Sequence, residues 1–359
     1  MRENVAANVT IEQLDDTPPD LKEPRRAAQL QNLATDTVLE YIEGSDHPDL
    51  QVYRRDVQPE LLHLWTWKIQ HVCELGGFYG KNILEAGSGF GWDAVGLSIL
   101  GKNHVTAMDI LPSMVDGMTQ CLDAMAAKGS QLDVTPLQGD ICNVDLPKGS
   151  FDGIVSFEAV EHVHNLEQMF AHCYELLKPG ARLVIVNDSN RWNTAFRDAT
   201  FEMWKERDGS WDHAKWLAAE VRPVEHANAK PYAAMREEII NEAAPSLDEA
   251  SRNKLVAATA GMIRPEIISA TETYLKHRTL PTRPEFSWCR NPETGEYAER
   301  LLDPFEMVDM LRAAGFKARL RHIFRKPPFN LANGISFKPI NKKLFDKRAQ
   351  FALVAEKPR

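Results

Sequence analysis

"NILEAGSGFG", residues 82–91, sets an apolar pair, Ile83 and Leu84, and a carboxylate, Glu85, before three glycines at alternate positions, Gly87, Gly89 and Gly91. The apolar run reads as a short strand. The "GWDAVGLSILG" of residues 91–101 reads as a helix closed by Gly101. A strand, a glycine turn and a helix in that order let the backbone come close to a ligand. In an open parallel sheet, that ligand lies at the carboxyl ends of the strands, where strand order reverses.

The rhythm continues outward from this turn. "HVTAMD" (104–109) is a strand, and residues 112–129 form a helix with Pro112 in its first turn. "DVTPLQGD" (133–140) ends in a strand-like edge, and "FDGIVSF" (151–157) is a buried strand. A helix over 165–177 puts Leu166, Met169, Phe170, Cys173 and Leu177 on one side. "KPG" then turns the chain into the strand "ARLVIVND" (181–188). Strands alternating with helices imply a parallel sheet covered on both faces. The pattern returns at the C-terminal end, where Asp303 caps "PFEMVDMLRAAG" and "FKARLRHIF" and "FALVAEKP" are strands.

Residues 190–300 break this rhythm. They are rich in Trp, Glu and Arg and read as helices and loops, with Ser246 and Glu249 at capping-box spacing. Residues 1–23 read as a mobile polar arm and 24–79 as a helical flank. In that flank Leu30, Leu33, Val38, Leu39 and Ile42 suit one helix. A second is capped by Asp56, carries Pro59 in its first turn, and presents Leu61, Trp65, Ile69 and Val72. The expected organisation is an α/β domain (80–189 and 301–359) interrupted by a helical subdomain (190–300) that holds the acceptor or covers it.

The chain has 359 residues, 43% of them hydrophobic, which is ample for a core. A net charge of −9 argues against a nucleic-acid partner. The basic cluster Lys338, Lys342, Lys343, Lys347 and Arg348 reads as a solvated face. Five scattered cysteines with no CxxC pair suit free thiols in a reducing compartment. The first residues lack an apolar signal-peptide core, and no run reaches the roughly 18–20 apolar residues of a membrane span. A cytoplasmic location is expected.

The glycines are not a dinucleotide fingerprint. G-x-G-x-x-G needs its third glycine where Trp92 stands, and a phosphate loop would need Gly-Lys-Ser/Thr. Glu85 would repel a pyrophosphate and suit a cation. S-adenosylmethionine carries an ammonium and a sulfonium and no phosphate. Asp109 ends the second strand 22 residues beyond Gly87, where a carboxylate can accept both ribose hydroxyls. Asp140 follows the third strand as an acceptor for an adenine amino group, with Ile141 against the ring; Ile110 and Phe157 complete the expected cofactor set.

"ILEAGSGFGWDAVGLS", Asp109, "QGDI", "FDGIVSFEAVEHV" and "LLKPGARLVIV" together resemble the class I S-adenosylmethionine-dependent methyltransferases, in the expected order over residues 80–188. The resemblance implies a Rossmann-like seven-stranded sheet with the last strand antiparallel. It does not cover the insertion.

Methyl transfer is an in-line displacement, so the protein chiefly aligns two reactants. A hydroxyl acceptor needs a base, and "SFEAVEHVHN" after the fourth strand offers His162. Glu158, Glu161 and His162 have E-x-x-E-H spacing, similar to metal-binding segments of ubiquinone-pathway and small-RNA O-methyltransferases. On a helix they would share a face and suit a divalent ion. His164 reads as a residue at a helix N-terminus. Asp188, Asn190 and Arg191 follow the fifth strand and suit a polar acceptor, or Asp188 and Ser189 cap the insertion's first helix. Trp192, Trp204, Trp211, Trp216 and Trp288 read mostly as core. The long connection 325–350 borders the pocket, as such loops are uncommon without a function. The expected activity is O-methylation of a polar small molecule or saccharide. RNA methylation and N-methylation of a small metabolite are the alternatives.

Overall fold

The computed structural model describes residues 38–44, 53–54, 57–58, 61–209, 230–324, 329–335 and 337–359. The expected arm, Leu30, Leu33, Asp56, Pro59, Trp211 and Trp216 lie outside these.

Seven strands form one sheet: β1 (Asn82–Ala86), β2 (His104–Asp109), β3 (Val134–Gln138), β4 (Phe151–Phe157), β5 (Leu177–Asn187), β6 (Lys317–His322) and β7 (Phe351–Glu356). Their order is β3-β2-β1-β4-β5-β7-β6. The first five pair in parallel, and β7 runs antiparallel to both β5 and β6. Chain order therefore reverses between β1 and β4, and the glycine turn leaves the sheet at that switch point.

Alternate residues explain the apolar runs. Ile83, Val155 and Val184 enter one core with Trp65 and Leu97. Leu84, Ile154 and Ile185 enter another with Phe170, Leu311 and Phe351. Both faces are covered, so neither can be polar. Helices α1 (Leu39–Gly44), α2 (Leu62–Gly76), α3 (Trp92–Gly101), α4 (Pro112–Ala127) and α5 (Leu166–Leu176) belong to the first half. Trp65 of α2 stacks on Trp92 of α3 at 4.4 Å and 16°. A Cβ on Gly96 would sit 2.6 Å from the Trp65 ring, so this approach needs glycine there.

The inserted region contains α6 (Thr194–Gly209), α7 (Tyr232–Ala243), α8 (Glu249–Ala258) and α9 (Arg264–His277). Ile239, Ile240, Leu255 and Ile267 form one cluster of their own. Trp204, Tyr232, Trp288 and Leu301 form another, so these two tryptophans are core. The chain then re-enters the sheet through α10 (Pro304–Ala313), which Asp303 caps by accepting the Phe305 N–H.

Three local readings change. The α8 cap is Asp248, whose side chain accepts from Ser251 N, and not Ser246; an aspartate adjacent to the helix wins over a more distant hydroxyl. Asn193 and not Asp188 or Ser189 caps α6, accepting the Phe196 N–H at 2.8 Å. "KPG" is absorbed into β5 as an irregularity: Leu177 pairs with Phe151, but Arg182 pairs with Gly153. The β6–β7 connection is structured, with a 3-10 helix over Phe329–Gly334 and α11 over Lys338–Phe345. No helix among the described residues is long and apolar enough to cross a membrane, and all five cysteines are free and buried.

Candidate active site

Three glycines hold the β1–α3 turn in the left-handed region, with φ of 77° at Gly87, 54° at Gly89 and 83° at Gly91. A side chain at Gly87 would put Cβ 2.4 Å from Cβ of Ala159, and one at Gly89 would lie 2.6 Å from the Tyr53 hydroxyl. The turn is thus pressed between the segment after β4 and a residue of the N-terminal flank. Backbone N–H groups of Gly87 and Ser88 both donate to Met108 O at 2.9 Å, which ties the turn to β2.

Asp109 closes the other side of this turn. Its carboxylate accepts from Gly89 N at 2.9 Å and Leu111 N at 3.0 Å. Burial raises its pKa, although the Leu111, Gly89 and Ile110 N–H groups and the charge of His162 pull the other way. Each carboxylate oxygen keeps a lone pair for a further donor. Ile110, next along, is 56% exposed. Asp140 accepts the Cys142 N–H at 2.9 Å and lies 4.0 Å from His164 Nε2. His164 stands just before the α5 cap, Asn165, as the sequence suggested. Ile141 is packed into the core beside Leu84 and Met108.

Beneath the turn, Glu85 is almost fully buried, and its Oε2 has no hydrogen-bond partner, nor do Ser88 Oγ and Trp92 Nε1. Burial holds the Glu85 carboxyl well above its ordinary value. Asp93 and Asp109 add to this, and Lys68 opposes it. Lys68 comes from α2, pairs with Asp93 at 2.7 Å, and stands 4.7 Å over the Phe157 ring. An orphaned acidic oxygen with a cation nearby, and two carboxylates at the ends of β2 and β3, are a donor set that fits a zwitterionic nucleoside. They do not fit a pyrophosphate.

The segment after β4 forms turns, not a helix. Glu158 has a positive φ of 43°, a strained conformation for a glutamate. Its Oε2 accepts from Asp188 N at 2.7 Å and its Oε1 from Gln350 at 3.3 Å. The expected set of Glu158, Glu161 and His162 is therefore corrected. The ligand atoms that converge are those of Glu161, His162 and Glu299, the last from the end of the insertion.

That end of the insertion clamps the segment, and sequence reasoning missed it. Tyr297 O lies 2.9 Å from His162 Nδ1. The Arg300 guanidinium donates to the carbonyls of Val160 at 3.3 Å and Val163 at 2.9 Å. Ser189 Oγ bonds back to Arg300 O. The acid- and arginine-rich "GEYAER" (295–300) was the only available signal.

A carbonyl oxygen can only accept, so His162 Nδ1 carries a proton and Nε2 is the nitrogen left for chemistry. Burial alone would lower this imidazole's pKa. The carboxylates of Glu161 and Glu299 and the Tyr297 carbonyl outweigh it, and the net shift is upward. Nε2 lies 3.8 Å from Glu161, which is itself held by Asn187 at 2.5 Å.

Of the three residues expected to meet the acceptor, only Asp188 is brought to the cluster. Asn190 is fully buried; its amide donates to Ala349 O at 3.0 Å and accepts from Trp192 N at 3.0 Å. Arg191 is bound to Asp303 and, at 2.9 Å, to Glu306. They fasten the start of the insertion to α10 and to the residue two before β7.

Residues 84–185 match the family described as "Methyltransferase domain". This region is a class I S-adenosylmethionine-dependent methyltransferase domain. The chain is 32% identical over 143 residues to a ubiquinone biosynthesis O-methyltransferase of Rickettsia conorii, covering 40% of this chain and 47% of that one. It is 27% identical over 123 residues to sterol methyltransferase-like 1 of Botryococcus braunii, covering 33% and 31%. The match thus spans less than half the length of these curated relatives. A solved S-adenosylmethionine-dependent methyltransferase from Mesorhizobium loti shares 15% identity, with 81% of this chain and 97% of that one covered at a TM-score of 0.41. At that score the overlap adds nothing to the strand order, which carries the fold.

Proposed function

We propose that the chain is an S-adenosylmethionine-dependent methyltransferase that methylates a hydroxyl of a polar small molecule or saccharide. We also assign it to the cytoplasm, where five unpaired thiols are at home. The donor supplies an electrophilic methyl on a sulfonium centre. Asp109 binds the ribose hydroxyls, Asp140 the adenine amino group with Ile110 beside the ring, and Glu85 the ammonium, with Lys68, held by Asp93, on the side of the donor's carboxylate. The glycine turn lets the backbone approach these groups, and Trp92 stacked on Trp65 keeps it rigid.

The observation that carries the O-methylation reading is the orientation of His162. With Nδ1 tied to Tyr297, the ring stands within electrostatic reach of Asp109, and Nε2 is the nitrogen that can take the acceptor's proton. The test is transfer of a labelled methyl group to pools of hydroxylated metabolites and glycans. Product in the wild type that is lost in a folded His162→Ala variant supports the reading. Product bearing methyl only on nitrogen contradicts it.

A second reading has its own observation. Glu161, Glu299 and Glu296 place acid around His162, which would also attract a protonated amine or a divalent ion held by Glu161, His162 and Glu299. N-methylation or metal-assisted O-methylation would then follow.

A further inference from the structure

We infer that the β6–β7 connection is a docking surface for an anionic lipid membrane, placed beside the mouth of the active site. Seven large hydrophobic side chains are left exposed among the described residues. Three of them fall within ten residues of this connection: Leu331 at 80%, Phe337 at 62% and Ile340 at 44%. Residues 329–350 carry five basic residues, Lys338, Lys342, Lys343, Lys347 and Arg348, against one acid, Asp346, in a chain of net charge −9.

The geometry of α11 separates two faces. Asn341 and Phe345, one turn apart, are buried and anchor it. Ile340 and Lys343 lie on the opposite side. On the flank, Lys342 crosses the Trp192 ring at 3.5 Å and Lys338 the Phe305 ring at 4.9 Å, which braces the helix against the body. The connection thus leaves Leu331, Phe337 and Ile340 exposed together with Lys343 and Lys347. A phosphate backbone gains nothing from Leu331 and Ile340, whereas a lipid surface takes both kinds of group.

Position adds to this. β7 runs antiparallel, so the connection lies at the edge where β5 and β6 end, with His322 and Asn187 both paired to Phe351. One residue before β7, Gln350 donates to Glu158 in the site. A polar acceptor group presented at a membrane surface would meet the cleft directly.

The test is co-flotation of the full chain with vesicles, which needs no catalytic activity and is independent of the proposed reaction. The expected result is binding to equal mixtures of phosphatidylcholine and phosphatidylglycerol and none to phosphatidylcholine alone. Each lysine contributes about fivefold to partitioning, so the Lys343→Gln, Lys347→Gln double variant should bind roughly 30-fold more weakly. Leu331→Asn with Ile340→Asn should lose binding even at low salt, with an unchanged circular-dichroism spectrum. Failure of the folded wild type to bind mixed vesicles overturns the inference. So does binding to a short RNA duplex that ignores the Leu331 and Ile340 changes, or a dimer that these changes dissolve without any vesicle binding.

Discussion

His162 Nδ1 lies 2.9 Å from the carbonyl oxygen of Tyr297, 135 residues further along the chain. This bond fixes the ring, leaves Nε2 3.8 Å from Glu161, and ties the inserted region to the segment after β4. The raised pKa sets the pH behaviour. Protonated His162 cannot accept a proton, so activity should fall as pH drops through a value above the ordinary 6.5. His162→Ala should lower turnover by about 10²–10⁴-fold, leave donor affinity nearly intact and abolish that acidic limb. An unchanged pH–rate profile in the variant would remove His162 from the mechanism.

Glu85 gives a second pH signature. Its raised pKa means the folded chain holds that proton more tightly than the unfolded one. The associated stability is present below the ordinary carboxylate range and is lost as pH rises through the folded value. A bound ammonium favours the ionised form, so donor binding between those two values should release a proton. Calorimetry in buffers of different ionisation enthalpy reads this directly, and Glu85→Gln should eliminate it.

At Gly87 the constraint is both steric and conformational. Gly87→Ala meets Ala159 at 2.4 Å with φ at 77°, the latter alone costing about 1–2 kcal/mol. Donor affinity should fall, and adding Ala159→Gly should restore part of it, because the clash is relieved while the strain stays. A double variant no better than the single one would show that Ala159 is not what the loop packs against.

Arg191 and Asn190 looked like acceptor residues because they follow β5, a place where this fold binds ligands. Their side chains instead face Asp303, Glu306 and Ala349. Arg191→Ala should leave the acceptor KM unchanged and lower stability by about 3 kcal/mol, since it strands the buried Asp303. A raised KM without a change in melting temperature would return Arg191 to the binding site.

The contrast between these residues marks what was legible. The glycine turn, Asp109 and the strand alternation are local patterns, written within a few residues of one another. Tyr297, Glu299 and Arg300 reach the cluster only because 297–300 folds back on 160–163, and no periodicity announces such a contact. The E-x-x-E-H spacing misled for the same reason. It implies a shared face only on a helix, and the segment turns instead, so the carboxylate that lies with Glu161 and His162 is that of Glu299.

The donor site is the foundation of the account, and titrating S-adenosylmethionine into the full chain by calorimetry tests it most directly. The prediction is binding by the wild type, none of NAD, and a loss of roughly 10- to 150-fold in Asp109→Ala, the worth of charged hydrogen bonds to two hydroxyls. Equal affinity for NAD, or a folded Asp109→Ala protein whose donor affinity changes less than about twofold, below any hydrogen bond's worth, would contradict it.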